Sequence, residues 1–511
     1  MANYLAPGVY VEEVSSGSKP IEGVGTAVAG FIGFAEKGPI SEPTLITNWT
    51  QYTRTFGGFV EGAYLPHSVY AYFLNGGGSA FIMRLPSGME ENGDGPVPGQ
   101  AAIPAASGDD GRPAFEVRAI SAANEGELTV SVGEASEPAD GNFRLDVLQN
   151  GKVQESFDNV TVKRGPNNVA TVVQKQSKLI TLDQTKGGTL TAPRKDTVTA
   201  LATRAPEPTP VPRSTYIGNP LDRTGIGGFE AIDEITIVAA PDLMSAYERG
   251  LIDDDGLKAV QLAMIAHCEL MSDRVAILDP PPGLNSQEVR AWRTDIAGYD
   301  SKYAALYWPW VETMNPDTGQ KIALPPCGHM AGIWGRTDQT RGVHKAPANE
   351  VVRGVVGLQT VISRAEQELL NPMGVNCIRA FPGQGIRVWG ARTLSSDPEW
   401  RYINVRRLFN FIEESILGGT NWVVFEPNDQ YLWSAVRRVV GTFLQRMWQS
   451  GALVGRSADQ AYYVKCDEEN NPPESQDTGH LYIEIGIAPV KPAEFIVFQI
   501  SQMPHGAALE E

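Results

Sequence analysis

The sequence predicts a mixed α/β protein built on a largely parallel sheet, and three observations carry that expectation. Short apolar runs, Glu234 to Ala239 (EITIVA), Arg274 to Leu278 (RVAIL) and Tyr303 to Tyr307 (YAALY), each meet a proline soon after, at Pro241, Pro280 and Pro309. Between the first two, Leu257, Val260, Met264, Cys268 and Met271 recur at steps of three and four, the period of a one-sided helix. The 53 Gly and 36 Pro in 511 residues follow no Gly-X-Y period, so they punctuate elements. Strands that alternate with helices lie parallel in one sheet.

The elements follow in order. Thr26 to Phe34 (TAVAGFIGF) reads as a buried strand, broken after it by Pro39 and Pro43. Asn48 caps a helix through Phe56; a second helix, Ser68 to Leu74, is stopped by Gly76-Gly77-Gly78 before the strand Ala80 to Leu85. Pro86 to Pro113 and Arg204 to Arg213 (RAPEPTPVPR) have linker composition. Between them Phe115 to Ala119, Glu127 to Val132, Phe143 to Leu148, Gln154 to Val162 and Val169 to Gln174 read as strands of an inserted β domain.

Further on, helices are expected over about Ser286 to Ile296 and Asn349 to Leu370, the latter carrying Val352, Val355, Leu358, Ile362 and Leu369 and ended by Asn371-Pro372. Cys377 to Phe381 and Ile386 to Trp389 bracket a Pro-Gly-Gln-Gly turn as a hairpin. Val405, Leu408, Phe409, Ile412 and Ile416 stripe one helix, and Leu432, Val436, Val439, Phe443 and Met447 the next, stopped by Gly418-Gly419 and Gly451. Strands at Tyr462 to Lys465, Leu481 to Ile487 and Glu494 to Ile500 close the chain.

With 42% hydrophobic and 20% charged residues, the chain can bury real cores. Sixty acidic against 42 basic side chains give a formal charge of -18, a poor match to a phosphate backbone, so nucleic acid is not an expected partner. Cys268, Cys327, Cys377 and Cys466 are too widely spaced for a zinc knuckle or a dense disulfide framework, which points to a reducing compartment. The first residues lack a basic and apolar signal, and no apolar run is long enough to span a bilayer; neither standard secretion nor membrane insertion is expected.

Catalytic signatures are missing: there is no Walker loop, H-E-x-x-H, G-x-S-x-G or strand-coupled G-x-G-x-x-G. Gly383-Gln384-Gly385 is too short to cradle a phosphate. His267 and Cys268 are neighbours on a helix and face different ways, and Cys327-Gly328-His329 has no third ligand nearby; packed core residues are the expected reading of both pairs. Asp253-Asp254-Asp255 reads as the acidic start of a helix. A hydrolase or transferase on the sheet would have only Asp242, Asp279 and Glu312 at its strand ends. No catalytic residue, cofactor or metal is expected.

The two ends stand apart. VYVEEV, with Val9, Tyr10, Val11 and Val14, lies between Pro7-Gly8 and the flexible stretch Ser15 to Pro20. EFIVFQIS puts Phe495 and Val497 on one face and Ile496, Phe498 and Ile500 on the other, so this strand needs cover on both sides. Judged alone, both ends are expected to pair within their own chain; strand exchange between subunits is the alternative.

Five segments carry a resemblance: YLAPGVYVEEVSSGSKPIEGVGTAVAGFIGFAEKGP, FPGQGIRVWGARTLSSDPEWRYINVRRLFNFIEESI, NWVVFEPND, LWSAVRRVVGTFLQRMWQSGAL and IGIAPVKPAEFIVFQIS. They are similar to the contractile tail sheath proteins of phages, pyocin-like particles and bacterial contractile injection systems. The match is specific over residues 1–85 and about 375–502, looser in the middle, and absent from the insert. It implies a non-enzymatic subunit of a six-start helical tube of stacked hexameric rings, metastable when extended, which contracts around a rigid inner tube and drives it through a target envelope.

The resemblance reverses the expectation for the ends: Val9, Tyr10, Val11 and Val14, and Phe495, Ile496, Val497, Phe498 and Ile500, become strands given to neighbours. Ser16, Gly17, Ser18, Pro20, Pro489 and Pro492 become hinges. It also implies docking on the inner tube through a C-terminal helix. Six Arg between 401 and 448 face four acidic residues there, making Arg406, Arg407, Arg437, Arg438 and Arg446 candidates; carboxylates of neighbouring sheath subunits are an equal alternative for them. The implied partners are the chain itself, an inner tube protein, and baseplate and terminal cap proteins, with assembly in the cytoplasm into a virion tail or tail-like particle.

The expected organisation is an arm and hinge over 1–25, an α/β core over 26–86 with 206–390, an outward-facing β insert over 87–205, a tube-contacting domain over 391–487, and a linker with a strand arm over 488–511. An enzyme on the α/β core and a non-contractile baseplate or shell scaffold are the competing readings.

Overall fold

The computed structural model describes residues 20–86, 97–106, 113–120, 128–137, 139, 141–149, 151–183, 190–204 and 211–499. The chain divides into two compact units, Met1–Pro86 with Val211–Glu511, and Ser87–Pro210.

The larger unit is built on β1 (Val28–Gly33), β2 (Thr44–Ile46), β3 (Ser79–Arg84), β4 (Ile237–Ala239), β5 (Val275–Leu278), β6 (Ala304–Trp308), β7 (Val375–Phe381) and β8 (Gly385–Val388). They form one sheet in the order β8-β7-β6-β5-β4-β1-β3-β2. The six inner strands are parallel, and β2 and β8 close the edges antiparallel. Such strands are apolar on both faces because both are covered. Ala29 and Phe31 pack into one core and Ile32 into the other; Tyr307 and Trp308 divide the same way.

One face is covered by α1 (Trp49–Phe56), α2 (Leu65–Leu74) and α4 (Cys327–Arg341), the other by α3 (Asp254–Met271). Asn48 caps α1 by accepting from the Gln51 N–H, and Asp253 caps α3 through the Gly256 N–H, with Asp254 and Asp255 in its first turn. All four cysteines are buried and free.

The expected helix over Asn349 to Leu370 is a correction. Val355–Leu358 is a strand paired antiparallel to Val311–Met314, and the helix occupies only Arg364–Leu370, opened by a Ser363/Glu366 capping box. Its valines fit a strand as well as a helix, and Gly354, at φ +79, turns the chain where the helix would have run. The helix expected over Ser286 to Ile296 is continuous in space but changes winding, from α over Ser286–Ala291 to π over Trp292–Ala297.

The C-terminal part holds α5 (Ile403–Gly419), α6 (Gln430–Gln449) and a two-stranded sheet of β9 (Tyr462–Lys465) and β10 (Glu484–Ile487). Leu408, Ile412, Val436, Val440 and Phe443 pack with Cys466 and Ile21 into a third core.

The smaller unit carries two four-stranded antiparallel sheets. Phe115, Val130, Leu145 and Val147 fill its own core. The expected strand Val169 to Gln174 is instead the helix Val169–Gln176, because Asn168 caps it through the Ala170 and Thr171 N–H groups and Val169 and Val173 share one buried face.

Candidate assembly site at the roots of the two arms

The strand order reverses between β1 and β4, the place where open α/β sheets receive ligands. Here that place is filled by the chain itself. Asp242, fully buried just past β4, accepts from the Phe34 N–H at 2.6 Å, the Leu65 N–H at 3.3 Å and the Tyr64 N–H, so it caps the first turn of α2. A side chain on Gly33 would meet its carboxylate at 2.3 Å. Asp279, past β5, accepts from the Cys327 N–H at 3.0 Å and caps α4. Burial pushes both carboxyls up to about 7, against the N–H donors that pull them down. Glu312 is ion-paired to Lys321 at 2.7 Å. His267, Cys268, Cys327 and His329 are core residues, and no cluster of metal-ligating side chains forms among the described residues.

What the fold leaves open lies at the ends. Residues 20–25 run along α5: Ile21 is 3% exposed, a Cβ on Gly419 would sit 2.6 Å from it, one on Gly23 would meet the Phe411 ring at 2.6 Å, and the Val24 N–H donates to Ser415 Oγ at 3.2 Å. Both glycines are therefore needed for close approach. Pro20 is exposed where this root begins. Val9, Tyr10, Val11, Val14, Ser16, Gly17 and Ser18 lie outside the described residues.

The other root is polar. Past β10, the Val454 N–H donates to Ala488 O at 2.8 Å, the Val490 N–H to Ala452 O at 3.2 Å and Asn404 Nδ2 to Val490 O at 3.0 Å. Arg392 then grips Glu494 with two bonds of 3.0 and 2.6 Å, aided by Asn371 Nδ2 at 2.7 Å and the Tyr402 hydroxyl at 3.1 Å. Burial pushes this carboxyl up, but the donors and the guanidinium charge outweigh it and leave it below its ordinary value. Pro489 thus sits in a bridge with Leu453, and Pro492 lies between two held points.

Immediately beyond the clamp, Phe495, Ile496, Val497 and Phe498 are 75%, 73%, 80% and 84% exposed and form no strand. Ile500 lies outside the described residues. Four consecutive uncovered apolar residues make an exposed apolar run at the end of the described chain. Among the described residues β9 and β10 pair only with each other.

The arginine set divides. Arg406 and Arg407 are 2% and 4% exposed, which corrects their expected place as surface contacts to an inner tube or to neighbouring carboxylates. Arg406 Nε donates to Asn410 at 2.6 Å, and its guanidinium lies over the Trp400 and Tyr303 rings at 4.6 and 4.8 Å. Arg407 makes a two-bond pair with Asp338 of α4 at 2.9 and 2.5 Å and donates to Thr26 O at 2.7 Å. Arg437, Arg438 and Arg446 are exposed on α6.

A sheet body whose crevice is closed by its own helix caps, with an apolar terminus left uncovered beyond an ion-pair clamp, has the features of a structural assembly protein. The phage tail sheath central domain model matches residues 231–394 and the phage tail sheath C-terminal domain model residues 395–503. The chain belongs to the phage tail sheath family and is a structural subunit of a contractile sheath. It is 24% identical to the tail sheath protein of Burkholderia phage BcepMu, over 98% of this chain and 96% of that one. A putative prophage major tail sheath protein of Pseudomonas aeruginosa is 25% identical, over 54% of this chain and 71% of that one. A Vibrio phage tail sheath protein matches over only 36% of its own length, so the chain spans about a third of that relative. Among solved structures, the anti-feeding prophage helical sheath in its contracted state is 25% identical, with a TM-score of 0.58 over 98% of this chain and 99% of that one.

Proposed function

We propose that this subunit polymerises as a six-start helical tube of stacked hexameric rings around a rigid inner tube and drives that tube through a target envelope on contraction. Each subunit lends Val9 to Val14 and Phe495 to Ile500 to neighbours, whose β9–β10 sheets they extend. The observation that carries this reading is the uncovered run Phe495–Phe498 leaving the body just past the Glu494 clamp. Ser16 to Pro20 form the hinge that lets bodies move while the strands stay paired, whereas Pro489 and Pro492 belong to the held C-terminal root.

The exposed Arg437, Arg438 and Arg446 dock on the inner tube. Baseplate and cap proteins terminate the tube, which is assembled in the cytoplasm, and the subunit has no catalytic role. The insert faces outward: it has its own core and enters and leaves through Pro-rich linkers. No helix among the described residues is long and apolar enough to cross a membrane.

Cysteines placed at Val11 and Val497 test the exchange. Disulfide-linked ladders of two or more chains in purified tubes are expected; crosslinks confined to single chains would overturn it. Removing residues 1–14 is expected to leave folded protein that no longer polymerises in sedimentation.

A further inference from the structure

We infer that α5 is the strut joining the two arms of a subunit, so that a pull on one arm reaches the other through this helix. The inference rests on the strand-exchange reading. Its basis is where the two roots sit. The N-terminal root lies on the far half of α5, with Ile21 wedged against Gly419, Gly23 against Phe411, and Val24 bonded to Ser415. The C-terminal root is tied to the near end of the same helix. Asn404 holds Val490 O, and Tyr402, the residue before the helix, holds Glu494.

Arg392, the main grip on Glu494, is laced to that same end: it bridges Tyr402, and the flanking Thr393 and Ile403 N–H groups reach Arg401 O and Ala391 O at 2.8 and 3.0 Å. The two roots are therefore separated by about 22 Å of one hydrogen-bonded rod, from residue 404 to 419. Without these contacts the N-terminal arm would run straight into β1, which begins at Val28. Ile21 to Val24 intercept the pull before it arrives there.

The rod is also fixed to the body. Arg407 is paired with Asp338, both side chains 4% exposed, and Arg406 is held between Asn410 and the Trp400 and Tyr303 rings. The two roots differ in chemistry, one apolar and one ionic. Each can therefore be loosened alone.

The experiment uses full-length protein assembled into tubes. Glu494→Gln removes the charge from the C-terminal clamp, and Ile21→Ala loosens the N-terminal one. Gly419→Ala displaces Ile21 without opening a cavity and serves if Ile21→Ala does not fold. Tubes are challenged with a urea series, and the state of each is scored by negative-stain microscopy. Each single variant is expected to assemble, to keep the interchain crosslink between Val11→Cys and Val497→Cys, and to lose all-or-none firing, giving tubes contracted over part of their length. Because both changes cut one path, the double variant is expected to behave like either single.

All-or-none contraction in both single variants, or a double variant whose defect is the sum of the two, would overturn the strut. Absence of the interchain crosslink in the parent would instead overturn strand exchange itself, and the two failures are read from different measurements.

Discussion

Two arginines a single position apart from the helical stripe show how much a side chain's fate depends on what its neighbours supply. Arg406 and Arg407 lie beside Val405 and Leu408, and nothing in their spacing marks them as interior. What takes them inside is the pair of aromatic rings around one and Asp338 facing the other, both distant in the chain. Arg407→Ala would leave a buried carboxylate unpaired, and a loss of about 3–5 kcal/mol is expected in urea unfolding of the monomer. Arg437→Ala, at an exposed position, is expected to stay within about 0.5 kcal/mol. Reversing Arg437 and Arg438 to Glu should leave the fold intact and yield contracted, empty sheaths, an effect that high salt imitates. Normal extended particles would show that these arginines face elsewhere.

A pH dependence belongs at the same scale. Asp242 and Asp279 are held in the fold with their carboxyls near 7, above the unfolded value of about 3.9. The folded state then binds protons that the unfolded state has released, so this contribution is fully present below about pH 4 and is lost as pH rises through 7. The melting temperature is expected to fall between pH 5 and about 7.5 for this reason, and Asp242→Asn should flatten the slope. An unchanged slope in that variant would assign the pH response to other groups.

Among elements, the amphipathic helices were the most legible. The stripes over α5 and α6 repeat over four turns with glycines at the ends, and α1 and α3 announce themselves through Asn48 and Asp253. The helix α4 gives no such signal, since it is buried almost all round and carries Gly328, Gly332 and Gly335. Gly328 and Gly332 are what let it touch α2: added Cβ atoms would lie 2.4 Å from Ser68 O and 2.4 Å from Tyr72 O. Backbone cannot step aside as a flexible side chain can. Gly332→Ala is expected to cost about 1–3 kcal/mol by calorimetry or urea melts. Gly441→Ala, in α6 with open space around it, is expected to stabilise by about 0.4–1 kcal/mol. Two misread segments, 349–370 and 169–174, fail for one reason: short valine-rich runs fit both periods, and a glycine turn or an asparagine cap decides.

For the whole molecule, the sequence pattern exposed the parallel body and the separate β insert, whereas the arm roots were invisible because they depend on contacts made across more than a hundred residues. Glu494 read only as the first residue of the closing strand, and its meeting with Arg392, Asn371 and Tyr402 is what gives it a role. Since the insert fills its own core, replacing Gly88 to Ala202 by a short Gly-Ser bridge is expected to leave tubes of normal length in negative stain. Insoluble protein, or protein that never polymerises, would count against an outward, dispensable insert.

The burial of all four cysteines bears on how this molecule can be handled as a reagent. Burial pushes the Cys377 thiol up to about 12 and raises Cys268, Cys327 and Cys466 as well, so none offers a thiolate to a passing electrophile. The native chain is therefore a blank background for maleimide chemistry. A single cysteine added to an exposed position would be the sole site of dye or spin-label attachment, letting the displacement of one subunit within a firing tube be followed by energy transfer without first editing the parent sequence.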